Sequence, residues 1–190
     1  MSIRNFFFKH RSYTPIPLAV GIIYFSSPHH AVLGGGFVLL VLGELIRIWA
    51  VRYAGGATRT MAVGAPFLCT SGPFSRVRNP LYIGNMMIYT SFVLIAGNEN
   101  LWVLMGATWV FFLIQYSLIV SLEESALYKL FGGEYNIYRK NVSALVPRIS
   151  PWKGGAPTKP GHLLKTIKTE KRTLQNIVLV LLLIILRNQI

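Results

Sequence analysis

Residues 101–122, LWVLMGATWVFFLIQYSLIVSL, run for 22 residues without a charge. At 1.5 Å per residue, a helix of that length crosses the ~30 Å hydrocarbon core of a bilayer. The acidic pair Glu123-Glu124 follows at once and marks the exit. Working outward, 81–97 is a second charge-free run of 17 residues, separated from the first only by Asn98-Glu99-Asn100; the spacing predicts a tight helical hairpin. A third run, 31–51, is interrupted by Glu44 and Arg47, which lie three apart on one helix face and can pair. A charge at mid-bilayer costs about 2.5–3.5 kcal/mol on an insertion scale, so both are expected at the membrane boundary or facing the bundle interior. Run 16–27 is short and opens with Pro15 and Pro17, tolerated in a first turn where no helical N–H is lost. The last run, 174–186, has 13 residues and is expected to lie in the interface or enter partway. The expectation is an all-α, polytopic membrane helix bundle of four to five membrane segments, one domain over 1–190, with 148–173 as a basic linker.

Composition agrees. The chain is 53% hydrophobic and 13% charged, whereas a soluble domain carries about 25% charged residues and a disordered tail more still. Nineteen Lys and Arg stand against six acids, all Glu, for a net charge of +13. On so apolar a chain that balance points to a membrane surface and not to nucleic acid, and no base-stacking module is recognisable. The single Cys69 excludes an internal disulfide. Four histidines without ligand spacing leave no expected metal site. Three basic residues precede Ile16, four lie in 52–78 and ten in 129–172, while 28–30 and 98–100 carry none. By the positive-inside rule the N-terminus, the 52–80 loop and the 123–172 segment share the cytoplasmic side. A secretory signal is the rival reading of 16–27, but Ser27-Pro28-His29 is a poor cleavage site. Gly34-Gly35-Gly36 is read as close helix packing.

Polar chemistry concentrates in two clusters. Thr70-Ser71-Gly72-Pro73-Phe74 and Arg78-Asn79-Pro80-Leu81-Tyr82-x-Gly84 lead directly into a span. Pro80 starts a helix whose electropositive N-terminal end can receive a carboxylate or other anion, with Arg78 beside it. A basic anchor with an interfacial Tyr is the plainer alternative. The second cluster is Glu123-Glu124, followed by Leu127, Leu130 and Phe131, a break at Gly132-Gly133, and a restarted helix carrying Tyr135, Tyr138 and Val142 that Pro147 is expected to stop. A carboxylate there suits a ligand ammonium or sulfonium; a solvated acidic exit is the alternative. P-loop, dinucleotide and nucleophile-elbow motifs are missing, and without Asp there are no Asp-based triads.

The ordered set Arg47-x-Trp49-Ala50, Thr70-Ser71-Gly72-Pro73-Phe74, Arg78-Asn79-Pro80-x-Tyr82-x-Gly84 and Glu123-Glu124-x-x-Leu127, with Phe131-Gly132-x-x-Tyr135-x-x-Tyr138-x-x-x-Val142 and a closing Pro147, resembles the isoprenylcysteine carboxyl methyltransferase family and its phospholipid methyltransferase relatives. The resemblance covers about 44–147. It implies an integral-membrane enzyme that uses S-adenosylmethionine without a Rossmann domain, releases S-adenosylhomocysteine, and acts on a lipidic or prenylated substrate from a cytoplasmic-side cofactor pocket. It implies cofactor-binding roles for Pro66, Phe67, Leu68 and Cys69, for Phe74, for Asn79, Pro80, Leu81 and Tyr82, for Glu123 and for Tyr135, with Tyr138 near them, and catalytic roles for Glu124 and Arg139. Carboxyl methylation is the expected reaction, with amine N-methylation and thiol S-methylation as alternatives; an NADPH-dependent sterol-type reductase is a further relative.

Two departures bear on chemistry. Asn79 stands where the family usually has His, and Asn cannot become cationic or act as a base. Prenylcysteine-specific members carry an Arg about one turn before the paired Glu, whereas 117–120 reads Ser-Leu-Ile-Val. That leaves Arg47, Arg52 or Arg139 to hold a substrate carboxylate.

Overall fold

The computed structural model describes residues 2–55 and 63–189, so Arg59 of the basic 52–78 loop lies outside it. Regular structure among the described residues is entirely helical: α1 (Ile3–Lys9), α2 (Ile16–Tyr24), α3 (Leu33–Ala54), α4 (Pro80–Ala96), α5 (Leu101–Asn141) and α6 (Leu163–Arg187), with short 3-10 turns at Pro28–His30 and Gly72–Ser75.

The predicted hairpin is present. Gly97 closes α4 at φ 63, a left-handed conformation that glycine adopts without a Cβ penalty, and the Asn100 amide donates to the Asn98 side chain at 2.6 Å. Four helices run between the same two ends. At one end the Val32 amide donates to the Leu94 carbonyl at 2.8 Å, and the Ser26 hydroxyl reaches Asn188, just past α6, at 2.7 Å. At the other end the Gly161 amide, just before α6, donates to the Arg52 carbonyl at 2.6 Å.

Helices α3 and α4 make the most extensive contact, and small residues are the reason. A Cβ on Gly84 would fall 2.8 Å from the Gly43 carbonyl oxygen, and one on Gly43 would fall 2.9 Å from that of Gly84. The two backbones touch, as glycine permits in helix pairs within apolar surroundings. Of the Gly34–Gly36 triplet only Gly36 meets a neighbouring helix closely, at Ile95. One apolar core joins Leu40, Ile88, Phe92 and Val93 to Ile177 and Ile184 of α6; a second joins Phe8, Met86, Phe112, Tyr116 and Ile119. Outward, α3 and α5 expose the large apolar side chains Phe37, Val41, Leu45, Trp102, Val110 and Ile114, as expected of helices that face lipid.

Three expectations change. Among the described residues only α3 and α5 are both long and apolar enough to cross a membrane, fewer than the four to five segments expected. Helix α4 has 17 residues and α2 nine. Helix α6 is 25 residues long, but its first half carries Lys165, Lys168, Glu170, Lys171 and Arg172. The segment 148–173 is not linker throughout, because α6 already begins at Leu163; there Thr166 and Glu170, four apart on one face, are both buried. Helix α5 ends at Asn141, before Pro147, because Val142 turns extended (φ -125, ψ 125).

Candidate functional site

The two sequence clusters meet. Pro80 starts α4, and the first turn of that helix aims Tyr82 at α5. Its hydroxyl donates to Glu123 Oε2 at 2.8 Å, while its ring stacks on Tyr116, about two turns earlier on the same face of α5, with centroids 4.3 Å apart and planes 18° from parallel. Arg78, just ahead of α4, donates to the one Glu124 oxygen Oε1 from both Nε at 3.1 Å and Nη2 at 2.6 Å, a pair of charge-assisted hydrogen bonds. Arg139 approaches the same carboxylate at 3.3 Å.

Gly132 lets the second cluster fold back over the first. Its φ of 50 and ψ of -118 break α5, a left-handed backbone suited to glycine. Beyond the break Tyr135 and Tyr138 turn inward, both almost fully buried. The Tyr138 hydroxyl donates to the Phe74 carbonyl at 2.7 Å, and its ring lies 5.5 Å from that of Trp152. Residues 143–152 are laced to 75–78 by three backbone bonds of 2.9 Å: Arg78 to Ser143, Arg148 to Arg76 and Trp152 to Ser75, amide donor first. Asn79 joins this roof by donating its side-chain amide to the Ala144 carbonyl at 3.1 Å.

Beneath the roof lies a cavity of about 890 Å³, within the 300–1,000 Å³ range of small-molecule sites. Of the residues singled out from sequence, Phe67, Leu68, Cys69, Phe74, Asn79, Pro80, Leu81, Tyr82, Glu123, Glu124, Tyr135 and Tyr138 line it; Pro66 and Arg139 do not. The Arg139 side chain is 58% exposed. The Tyr135 hydroxyl is buried without completing a hydrogen bond. Burial, then the nearby Glu124 charge, raises its pKa, so it stays a donor at neutral pH.

Burial pushes the Cys69 thiol up to about 11, against a smaller lowering by the Ser71 backbone. The thiol is therefore protonated near neutrality, and only thiolate reacts. Iodoacetamide is expected to alkylate Cys69 about a hundredfold more slowly than an exposed thiol at pH 8, the rate climbing about tenfold per pH unit until pH 11. A mass-spectrometric time course from pH 7 to 11 measures this; alkylation at the free-thiol rate at pH 8 would contradict the buried placement.

Sequence reasoning missed the far half of the cavity. Arg47, 6% exposed, pairs with the fully buried Glu170 of α6. It also donates to Asn85 and to the Thr173 hydroxyl at 3.1 Å, and it keeps the expected Glu44 partner at 3.6 Å. Asn85 in turn donates to the Tyr116 hydroxyl at 3.0 Å. The available signal was Glu170 itself, an acid set between Lys168 and Lys171 in a basic run. Past this polar band the cavity continues between Ile16, Val20 and Ile23 of α2 and Leu179, Val180 and Leu183 of α6. The site therefore has a polar chamber under a roof, a buried polar waist and an apolar sleeve. Among the described residues no group of His, Cys and Glu could hold a metal ion.

A family model described as phospholipid methyltransferase matches residues 32–134. No curated protein and no solved structure matches the chain significantly.

Proposed function

The chain belongs to the phospholipid methyltransferase family, and from that premise we propose that it is a multi-pass membrane enzyme that methylates the carboxylate of a lipid-like, prenylcysteine-type acceptor with S-adenosylmethionine. Family membership by itself carries the coarser statement: a membrane methyltransferase that draws on a methyl donor of this type and acts on lipid-type substrates. The observation that carries the donor site is the Tyr82–Glu123 hydrogen bond, which makes one chamber of two motifs 41 residues apart; the acceptor is argued from the pairing of the two acids.

The residues present fit the donor. Glu123 offers a carboxylate to its ammonium group, and the buried Tyr135 hydroxyl, without a complete hydrogen bond, offers a donor to its polar atoms. Phe67, Leu68, Phe74 and Leu81 supply apolar wall, Cys69 a neutral thiol, and Pro80 and Tyr82 the floor where α4 begins; Pro66 stands outside the cavity wall. Asn79 spends its amide on the Ala144 carbonyl, a roof-holding task that needs no base. Bound in this chamber, the donor would supply an activated sulfonium methyl group, with sulfur as the leaving atom.

The state of the two acids favours a carboxylate acceptor. An amine must first lose a proton to a base, but Glu124 is held by Arg78 and Arg139 and Glu123 accepts from Tyr82. Glu124 and Arg139 accordingly serve catalysis by holding the chamber closed against water, which strengthens every electrostatic contact inside. A carboxylate is already nucleophilic at neutral pH, and Arg11, Arg47 and Arg78 on the cavity wall are cations that could attract it. The acceptor's hydrocarbon chain would lie in the sleeve between α2 and α6. In this reading α3 and α5 cross the bilayer, the shorter apolar α4 joins them, the apolar half of α6 and α2 enter partway, and the roof with its basic residues faces the cytoplasm. The donor then arrives from water and the acceptor from lipid.

The family's name favours a second reading, N-methylation of an aminophospholipid. Purified protein in nanodiscs, given methyl-labelled S-adenosylmethionine with either a farnesylated cysteine or phosphatidylethanolamine, separates the two. A base-labile product on the farnesylated cysteine supports the ester; a base-stable product on the aminophospholipid moves the assignment to nitrogen. A protein that binds no S-adenosylhomocysteine overturns both.

A further inference from the structure

A polar chain runs from the last helix to the donor chamber. Glu170 of α6 pairs with Arg47 of α3. Arg47 donates to Asn85 of α4, Asn85 donates to the Tyr116 hydroxyl of α5 at 3.0 Å, Tyr116 stacks on Tyr82 with centroids 4.3 Å apart, and Tyr82 donates to Glu123 at 2.8 Å. Glu170 lies outside the family-matched stretch of 32–134, yet it is fully buried.

We infer that Glu170 is a positioning residue for the donor chamber. It fixes the Arg47 guanidinium, and through Asn85 and Tyr116 it sets the plane of the Tyr82 ring, so that the Tyr82 hydroxyl meets Glu123. The physical ground is that a buried ion pair with further hydrogen bonds holds both partners in one geometry, and removing one member leaves the other uncompensated. A stacked ring cannot tilt without its partner, so a tyrosine whose hydroxyl is pinned by Asn85 transmits that orientation. Docking of α6 thereby becomes a condition for a well-formed donor site, even though α6 contributes nothing to the roof. Glu44, 3.6 Å from Arg47, is a partial substitute when Glu170 loses its charge.

The inference rests on the donor-site reading, and the experiment keeps the two apart. Calorimetry of the full chain in detergent with S-adenosylhomocysteine comes first; absence of binding by the unaltered protein ends the donor reading itself. Given binding, Glu170→Ala and Asn85→Leu are each expected to weaken it about tenfold, the scale of one buried hydrogen bond to a charged group. Glu170→Gln should weaken it less. Tyr82→Phe should cost a similar factor alone. Combined with Glu170→Ala it should add almost nothing, because residues acting through one another are non-additive. The near-ultraviolet circular dichroism of the protein without cofactor should change in Glu170→Ala and Asn85→Leu as the Tyr82–Tyr116 stack loosens. Full additivity of the double variant overturns the inference. So does an unchanged affinity in Asn85→Leu, which cuts the chain without touching α6 and stays informative if Glu170→Ala fails to fold.

Discussion

Glu123→Ala should weaken S-adenosylhomocysteine binding at least about a hundredfold, close to 3 kcal/mol, the range seen when one partner of a desolvated charge pair is truncated. Two losses combine. The ligand ammonium loses its carboxylate inside a chamber where a low effective dielectric makes that attraction large, and the Tyr82 hydroxyl loses its acceptor at 2.8 Å. Glu123→Gln separates them. An amide oxygen still accepts from Tyr82 but carries no charge, so an intermediate loss of about tenfold is expected. Glu123 is half-buried at a helical position, and Ala is the best helix former. Far-ultraviolet circular dichroism should therefore be unchanged, which keeps a binding loss from being a folding loss. Calorimetry showing the Ala variant within threefold of the parent would remove Glu123 from the donor site and, with it, the shared chamber.

The features readable from sequence are those that rest on short-range pattern. The α4–α5 hairpin follows from two charge-free runs with three polar residues between them. The inward-facing Glu44 and Arg47 follow from a spacing of three and the cost of a charge in lipid. The break at Gly132 follows from paired glycines. That Tyr82 and Glu123 would share a site followed from a family resemblance, since no local pattern links a helix start to another helix's exit. What stayed hidden depends on distant pairing. The Arg47–Glu170 pair spans 123 positions, and the one local hint, an acid standing between Lys168 and Lys171, does not say which residue it pairs with. Its partner helix was misread for a related reason: hydropathy sees only the apolar 174–186, whereas the first half of α6 is held by burying Thr166 and Glu170 beneath a basic outer face. The end of α5 was placed too late because Pro147 is a strong local stop, while the actual stop is tertiary. Arg78 takes the carbonyls of Arg139 and Val142 as the helix ends.

That arginine carries the other large expected effect. Arg78→Ala removes both prongs on Glu124 and leaves the carbonyls of Arg139 and Val142 without their donor, at a helix end where orphan carbonyls need partners. Arg78 and Glu124 are 10% and 16% exposed, so water compensates little. Truncating one partner of such a pair costs about 3–5 kcal/mol. The loss should fall on the roof, because α3, α4 and α6 are held by apolar cores that Arg78 does not touch. Limited trypsin digestion should then cut rapidly at Arg148 and Lys153, S-adenosylhomocysteine binding should disappear, and helical circular dichroism should persist. Arg78→Lys should fall between, since an ammonium keeps the charge but cannot span a carboxylate and two carbonyls at once. An Arg78→Ala protein that resists trypsin and binds the ligand as the parent does would mean that the roof closes without this arginine.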